Sequence, residues 1–464
     1  MFSKEIYINR RKKLKAKFKS GILLFLGNDE SSMNYLDNTY HFRQDSSFIY
    51  YFGIDHPGLV GLMDLDNDKD FIFGNDFTID DIVWMGSQPT IRERSEFVGI
   101  SNTGSISDLV NFLDKLKQKN AKIHFLPSYR PEHQIKLHNW LDISINETNK
   151  FASVDFIRAV GEQRNIKSEE EIKQLEQVVS VTADMHLAAM RYAKPGMSEA
   201  EVAAKVYEVA LAAGGDISFP IIATINGQTL HNHYHGNVIK EGDLFLLDAG
   251  AENALRYAGD MSSTFPVGAK FTERQKEIYQ IALNAHNAAI EALKPGVNFK
   301  EIHFTAARYI FNGLKDLGFT KGDTEEAIHA GAHALFFPCG TGHLMGLDVH
   351  DMENLGEQYV GYNGHAKSTL FGLKSLRLGR ELQTGYVLTI EPGIYFIPEL
   401  IDLWKSQNKF TQFINYKKVE EYKNFGGTRN EEDVLITEKG YKILGKPLAK
   451  TIDQVENERT KAFN

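Results

Sequence analysis

Cysteine is nearly absent from this chain, since Cys339 is the only one in 464 residues. A single cysteine excludes an internal disulfide, and its rarity favours a reducing compartment, so we expect a cytoplasmic protein. Long apolar runs are also lacking. Residues 21–26 are far too few to span a bilayer, and no apolar stretch of signal-peptide length precedes the first polar turn. We therefore predict no membrane association.

Long basic runs do not occur either. The chain has 52 lysines and arginines against 61 aspartates and glutamates, which gives a net charge of −9 at pH 7. Nucleic acid is therefore not an expected partner. Apolar residues are abundant, at 42% hydrophobic and 11% aromatic, and a chain of this length can then form large cores in two or three domains.

Residues 1–165 are predicted to form a small α/β domain without a catalytic constellation. The domain is expected to contain helices, for example at residues 107–116. Short apolar runs typical of strands occur at residues 22–26, 59–63, 71–73 and 123–125. Residues 42–53 are rich in aromatic side chains, most of which we expect in a core.

Two Pro-Gly turns begin at Pro195 and Pro295, exactly one hundred residues apart, and each is predicted to separate two helices. Capping-box sequences mark predicted helix starts at Ser168, Ser198 and Thr272. Strand-rich sequence follows each pair of helices. The repeat indicates an internal duplication.

Five potential metal ligands occur in distinctive settings. Asp248 and Asp260 lie on two apolar segments, and an unpaired buried carboxylate costs several kcal/mol, so such aspartates need a cation. His343 lies among glycines, Glu391 precedes a Pro-Gly turn, and Glu431 lies just before an apolar run. Four carboxylates and one imidazole suit hard or borderline divalent ions such as manganese. Two ions sharing these ligands would make a hydrolytic centre.

The order Asp, Asp, His, Glu, Glu with these flanks closely resembles the pita-bread metallopeptidases, and among them the proline-specific aminopeptidase P and prolidase branch. The resemblance extends over nearly the whole chain and implies an α/β (α+β) fold. An aminopeptidase P-type N-terminal α/β domain is expected at residues 1–165 and an internally duplicated pita-bread catalytic domain at residues 166–464. The resemblance further implies two divalent metal ions per chain, with manganese expected, held by Asp248, Asp260, His343, Glu391 and Glu431.

The resemblance also implies roles for residues around the metal. Family catalytic residues match His231, His350, Glu391 and Arg429, and substrate-binding residues match Arg377 and Tyr395. Glu391 would take a proton from water and pass one to the leaving nitrogen. His231 and His350 would stabilise the oxyanion and orient the substrate. Arg429 would support the neighbouring carboxylate ligand from behind.

The implied reaction is hydrolysis of the peptide bond between an N-terminal residue and proline. The expected partners are peptides with proline in the second position, and the expected assembly is a homodimer or homotetramer. A strict Xaa-Pro dipeptidase is the nearest alternative, because Arg377 and the long segment between Glu391 and Glu431 resemble prolidases. A metal-free pita-bread peptide-binding module is the remote alternative, since such modules have lost the ligands found here.

Several features compete with this interpretation or depart from the family. The two aspartates are twelve residues apart, one more than usual, and we place the extra residue in the hairpin turn. Cys339 replaces a common family histidine, and we expect it to pack as a small apolar residue. His231, His233 and His235 would share one face of a strand and could mimic a separate zinc site, although only His231 matches the family. Trp84 resembles a residue that closes the partner subunit's site.

Overall fold

The computed structural model describes residues Met1–Asn464, which divide into two units. Unit 1 comprises Met1–Arg164 and Met352–Val360, whereas unit 2 comprises Asn165–Asp351 and Gly361–Asn464. None of the helices combines the length and the apolar character needed to cross a membrane.

The two units contain helices and strands in alternation along the chain. The α-helices are α1 (Lys4–Lys15), α2 (Ser46–Phe52), α3 (Ile79–Met85), α4 (Ile91–Glu96), α5 (Ile106–Gln118), α6 (Pro131–Leu141), α7 (Val154–Asn165), α8 (Glu169–Tyr192), α9 (Glu199–Ala212), α10 (Glu273–Glu291), α11 (Phe299–Asp316), α12 (Thr324–Ala330), α13 (Glu357–Val360), α14 (Pro398–Ser406), α15 (Tyr416–Glu420) and α16 (Ile452–Thr460). Short 3₁₀ helices cover Ile145–Lys150, Ala332–Leu335 and Glu353–Leu355. The strands are β1 (Ile22–Leu26), β2 (Val60–Asp64), β3 (Lys69–Phe73), β4 (Asn102–Gly104), β5 (Ile123–Phe125), β6 (Asp216–Ile217), β7 (Ile222–Thr224), β8 (Leu244–Ala249), β9 (Ala251–Glu252), β10 (Met261–Pro266), β11 (Val387–Ile390), β12 (Gly393–Tyr395), β13 (Gly427–Arg429), β14 (Glu432–Thr437) and β15 (Gly440–Ile443).

Unit 1 is built on a mixed five-stranded sheet with strand order β4-β3-β2-β1-β5. The amphipathic helix α5 begins at a capping box formed by Ser105 and Asp108, and it buries Leu109 and Leu113 in a core with residues of β1 and β2. The predicted strands and the predicted helix of this region are therefore confirmed. All seven residues of α2 are buried, as expected for its aromatic run, whereas Trp84 on α3 is 85% exposed.

Unit 2 contains two helix pairs, α8 with α9 and α10 with α11, each followed by a small antiparallel sheet. The sheet after the first pair has the order β10-β8-β7, and the sheet after the second pair has the order β11-β14-β15. The capping box at Ser198 pairs with Glu201 and that at Thr272 pairs with Gln275, as predicted. Both helix pairs turn at the predicted Pro-Gly sequences.

The internal duplication is visible in the backbone hydrogen bonds as well as in the order of the elements. In each half, the residues after the Pro-Gly turn exchange three hydrogen bonds with a segment that follows later in that half. In the first half these are Gly196 N to Ile239 O, Ile239 N to Met197 O and Glu199 N to Asn237 O; in the second half they are Gly296 N to Leu382 O, Leu382 N to Val297 O and Phe299 N to Arg380 O.

Helix α8 ties together the two long strands of the first half through His186. The Nε2 atom of His186 lies 3.1 Å from the carbonyl oxygen of Ala249 on β8, and Nδ1 lies 2.7 Å from the Ser263 hydroxyl on β10. A carbonyl can only accept, so Nε2 carries the proton and Nδ1 accepts from the serine. Burial lowers the pKa of His186 to about 4, and the ring is neutral at neutral pH.

Such buried neutral histidines should make unit 2 sensitive to acid. Burial lowers the pKa of His333 to about 4 and that of His286 to about 3, whereas an unfolded histidine titrates near 6.5. The unfolded state therefore binds more protons as the pH falls through about 6.5, and stability is lost progressively towards about pH 4. Between about pH 7 and pH 5 these histidines should lower the free energy of unfolding, measured by urea melts as the difference between the unmodified protein and a variant that lacks one of them. His186→Gln should reduce that slope by up to about 1.4 kcal/mol per pH unit.

The substitution to glutamine is chosen because its amide can still donate to Ala249 and accept from Ser263. The folded state should then be kept while the titrating group is removed. An unchanged pH dependence in His186→Gln would contradict a neutral His186 in the folded protein.

Candidate metal centre

Two neighbouring strands bring Asp248 and Asp260 to one face of the sheet. Strands β8 and β10 pair with Asp248 opposite Ser262, and the register continues without a bulge through residues 261–266. Because side chains alternate along a strand, Asp260 points to the same face as Ser262 and hence as Asp248. The unbroken register agrees with our placement of the extra residue in the connection between the strands.

A glycine lets the segment that carries His343 lie against the end of β11. A Cβ atom on Gly342 would come 1.9 Å from the carbonyl oxygen of Thr389, so no larger residue fits. The Thr389 N–H donates to the His343 carbonyl at 2.9 Å, and the Glu391 N–H donates to the Thr341 carbonyl at 2.7 Å. Backbone pairing therefore holds His343 and Glu391 side by side.

Asp260, His343 and Glu431 converge, with one potential ligand atom from each lying within 4.8 Å of the others. The His343 Nε2 atom is 3.3 Å from Asp260 Oδ2 and 3.8 Å from Glu391 Oε1. The Nδ1 atom lies 3.1 Å from the Leu344 carbonyl, which can only accept, so Nδ1 carries the proton. The lone pair of Nε2 is then available to a cation held between the imidazole and the carboxylates. Imidazole and carboxylate ligands in this arrangement suit a divalent cation.

The buried carboxylates require positive charge. Desolvation raises the pKa values of Asp260 and Glu431 well above their ordinary range and that of Glu391 to about 8, and neighbouring carboxylates add to each rise. The buried Asp260 Oδ1 accepts no hydrogen bond from another residue. A divalent cation would satisfy this oxygen and offset the like-charge repulsion, so the donor set fits a metal ion.

Arg429 is a buried positive charge behind the carboxylates. Its Nη2 donates to Asp248 Oδ2, its Nη1 donates to the Tyr395 hydroxyl at 2.9 Å, and its Nε donates to the Ser262 hydroxyl at 2.8 Å. The Ser262 hydroxyl in turn donates to Glu431 Oε2 at 2.6 Å. One guanidinium therefore orients Asp248 directly and Glu431 through a serine.

A cavity of about 490 Å³ lies next to the carboxylates in unit 2. Eight of the ten residues predicted to be functional border it: His231, Asp248, Asp260, His343, His350, Arg377, Glu391 and Glu431. Tyr395 and Arg429 lie behind this surface in contact with each other. The rings of His343 and His350 are 4.2 Å apart between centroids. Apolar side chains form a further part of the wall: Phe219, Pro220, Ile222 and Leu230.

The three alternating histidines do not lie on a strand. Residues 229–237 form turns and irregular structure, and the Nε2 atom of His235 lies 3.0 Å from the Ile221 carbonyl. His231 and His233 border the cavity, but His235 does not. The expectation that all three share one face is therefore wrong, because this segment pairs with the start of α9 and with Ile221 instead of forming a strand ladder. This geometry removes the basis for a separate three-histidine zinc site.

Two buried residues that hold the ligands were not predicted from the sequence. Ser262 links Arg429 to Glu431, and Asp433 accepts the backbone N–H of Asp260 at 3.0 Å. Ser262 lies two residues after Asp260, which is the spacing of one strand face and could have indicated it. In the sequence, Asp433 belongs to an acidic cluster, and such clusters usually lie on a solvated surface. Only the fold identifies Asp433 as buried.

Cys339 borders the cavity beside Tyr395. Desolvation, with a contribution from the charge of Glu391, raises the pKa of its thiol to about 12, so the sulfur is protonated at neutral pH. The thiol is not among the three side chains whose ligand atoms converge. Its position is that of a packing residue beside the ligands.

Cys339→Ala should therefore bind as much divalent metal as the unmodified protein, because it removes no ligand. Metal content after dialysis, measured by atomic emission, tests this. His343→Ala provides the matched comparison and should hold less metal, since it removes one of the converging ligands. Loss of a metal equivalent in Cys339→Ala would show that the thiol is itself a ligand.

Both parts of the chain match families of known proteins. Residues 173–438 match the profile of metallopeptidase family M24, and residues 7–124 match that of the aminopeptidase P N-terminal domain. Similar curated proteins include an Xaa-Pro aminopeptidase of Haemophilus influenzae, 31% identical over 98% of this chain and 97% of the relative. Another is the human Xaa-Pro dipeptidase, 29% identical over 94% of this chain and 88% of the relative.

Solved structures show the same likeness over the full length. Aminopeptidase PepP of Pseudomonas aeruginosa superposes with a TM-score of 0.82 at 26% identity, covering 100% of this chain and 99% of that one. Zinc-substituted Escherichia coli aminopeptidase P in complex with product gives a TM-score of 0.81 at 27% identity, with 99% of each chain covered. The two-domain architecture with a C-terminal pita-bread domain is therefore as expected.

Proposed function

Because this chain belongs to metallopeptidase family M24, we propose that it is a metal-dependent Xaa-Pro aminopeptidase, which hydrolyses the peptide bond between an N-terminal residue and proline. The observation that carries the proposal is the convergence of Asp260, His343 and Glu431 beside Asp248 and Glu391 in one cavity. Relatives named for cleavage at Xaa-Pro bonds support the substrate class.

We propose two divalent cations per chain, with manganese as the native metal. The proposed ligands are Asp248, Asp260, His343, Glu391 and Glu431. Oxygen ligands predominate in this set, which favours manganese over metals that prefer thiolates. When bound, such ions activate water and polarise a scissile carbonyl.

Side chains around the cavity transfer protons, stabilise charge and orient the substrate. The Glu391 carboxylate accepts a proton from the attacking water and returns one to the leaving nitrogen. His231 and His350 stabilise charge on the carbonyl oxygen and orient the substrate. Proline nitrogen has no N–H in the peptide, so the site selects proline by ring shape, and the apolar wall that includes Ile222 and Leu230 suits that purpose.

Glu391→Gln should lower kcat by at least about 100-fold, because it removes the proton acceptor while keeping the shape of the side chain. The measurement is release of the N-terminal residue from a peptide such as Gly-Pro-Ala. Exhaustive chelation should abolish the same activity, and adding back manganese should restore it.

Glu438→Gln is the matched control, because Glu438 lies just beyond β14 and is exposed to solvent. It should leave kcat within about two-fold of the unmodified value, as surface changes usually do. Full activity in Glu391→Gln, or after chelation, would refute the assignment of the centre.

The balance between aminopeptidase and dipeptidase activity should depend on Arg377, which borders the cavity. A dipeptide places a free carboxylate beyond the proline ring, where an arginine can bind it by charge-assisted hydrogen bonds. We expect Arg377→Ala to reduce kcat/KM for Gly-Pro by about 10–100-fold and to change that for Gly-Pro-Ala far less. The unmodified enzyme should cleave both peptides.

Lys374→Ala serves as the control for loss of a nearby positive charge, since Lys374 is exposed on the same segment and does not border the cavity. It should affect the two peptides equally. Rapid cleavage of Gly-Pro without any cleavage of Gly-Pro-Ala by the unmodified enzyme would instead identify a strict Xaa-Pro dipeptidase.

Further parts of the proposal concern the whole protein. We propose that the domain boundary lies after residue 165, that the protein acts in the cytoplasm, and that it assembles as a homodimer or homotetramer. The single cysteine supports a reducing compartment. Light scattering of the purified protein would measure the assembly.

A further inference from the structure

The segment that carries His231 has little structure of its own. Residues 225–237 form no helix or strand, and His231 itself is exposed. The His231 ring makes no hydrogen bond to another residue, although the charges of Asp248, Arg429, His350 and Arg377 act on it. The position of His231 in the cavity therefore depends on what holds the backbone of this segment.

One buried carboxylate, that of Glu199 at the start of α9, holds the segment at both ends. Glu199 Oε1 accepts from the Thr224 hydroxyl at 2.9 Å and from the Ile225 N–H at 2.8 Å. Glu199 Oε2 accepts from the Asn237 side-chain amide at 2.9 Å and from the Asn237 N–H at 3.2 Å. Four hydrogen bonds thus satisfy a carboxylate that is completely buried.

Thr224, which lies just before the segment, extends this hydrogen-bond network into it. The Thr224 hydroxyl accepts the Asn226 N–H at 2.9 Å and the side-chain amide of Asn232 at 3.1 Å. Asn232 is the immediate neighbour of His231. The buried carboxylate is therefore connected to the histidine by two hydrogen bonds and one peptide bond.

The second half of unit 2 shows that an apolar side chain can fill the equivalent buried position. Phe299 occupies the position equivalent to Glu199, and its N–H makes the equivalent backbone hydrogen bond to Arg380 at 3.0 Å. Both side chains are fully buried. Desolvating a carboxylate is costly, and well-packed apolar residues often replace buried charges without loss of stability. The carboxylate in the first half therefore contributes what a phenylalanine cannot, namely acceptors for two ends of an irregular segment.

We propose that Glu199 is a positioning residue for His231: it fixes the backbone on both sides of the histidine and so holds the imidazole at the place where charge develops on the substrate carbonyl. This inference rests on the proposed function for the role of His231. Glu199 itself does not border the cavity. A displacement of about 1 Å in a catalytic group can lower turnover by about 100-fold, which sets the size of the expected effect.

The test is a double-mutant cycle between Glu199→Gln and His231→Ala, measured with Gly-Pro-Ala. Glutamine keeps the size of the side chain, but its NH₂ group faces a backbone N–H at one end of the segment, so at least one hydrogen bond is lost there. Glu199→Gln should lower kcat by about 10–100-fold in the otherwise unmodified enzyme and change KM by less than about three-fold. In the His231→Ala background, Glu199→Gln should change kcat by less than about three-fold, because the group that it positions is absent.

Glu201→Gln is the matched control on the same helix. Glu201 is exposed, and glutamine can take its place in the capping box with Ser198, so turnover should not change. Amide hydrogen exchange gives a readout that does not depend on activity. Residues 225–237 should exchange faster in Glu199→Gln than in the unmodified protein, whereas α8 should exchange at the same rate.

The outcomes separate the two proposals. Absence of Xaa-Pro cleavage by the unmodified enzyme would overturn the proposed function, and the exchange measurement would still decide whether Glu199 anchors the segment. The positioning role would be overturned if the kcat losses of Glu199→Gln and His231→Ala simply multiply in the double variant. It would also be overturned if amide exchange at residues 225–237 is unchanged in Glu199→Gln. If Glu199→Gln does not fold, Asn237→Ala, which removes one donor without leaving a new buried donor, enters the same cycle with the same criteria.

Discussion

The constraint on which unit 2 depends is the clustering of four carboxylates, three of them buried, around one cavity. Asp248, Asp260, Glu391 and Glu431 repel one another and have lost most of their water, so the folded chain must supply or bind positive charge. Arg429 supplies one such charge from behind. A divalent cation is the natural complement on the open side, where the oxygen atoms and the imidazole of the site converge.

The duplicated architecture places these carboxylates on paired strands or directly beside their ends. In the first half, Asp248 lies on β8 and Asp260 immediately precedes the antiparallel β10. In the second half, Glu391 immediately follows β11 and Glu431 immediately precedes the antiparallel β14. Each half also holds its carboxylates from behind. His186 ties β8 to β10, and the pairing of Thr341 with Glu391 fixes the second half. Ligands built on paired strands are held more precisely than ligands on free loops.

The side of the cavity that carries His231 and Arg377 is arranged differently from the side that carries the carboxylates. His231 and Arg377 both lie on irregular segments, and each segment ends at the residue that bonds back to the first turn of a helix, Asn237 in one half and Arg380 in the other. Irregular segments of this kind can differ between the two halves without disturbing the paired strands beside the carboxylates. The buried Glu199 compensates for the missing regular structure on one of them.

The sequence by itself determined the starts of α8, α9 and α10, the duplication marked by two Pro-Gly turns, four of the five strands of unit 1 and the face shared by Asp248 and Asp260. Capping, turn formation and strand alternation act over a few residues, so they can be read locally. Only the tertiary structure decided that the histidines near His231 lie on an irregular segment and that Glu199 and Asp433 are buried partners of distant backbone. Their short-range sequence is that of ordinary helix and surface acids, because the donors they satisfy come from residues far away in the chain.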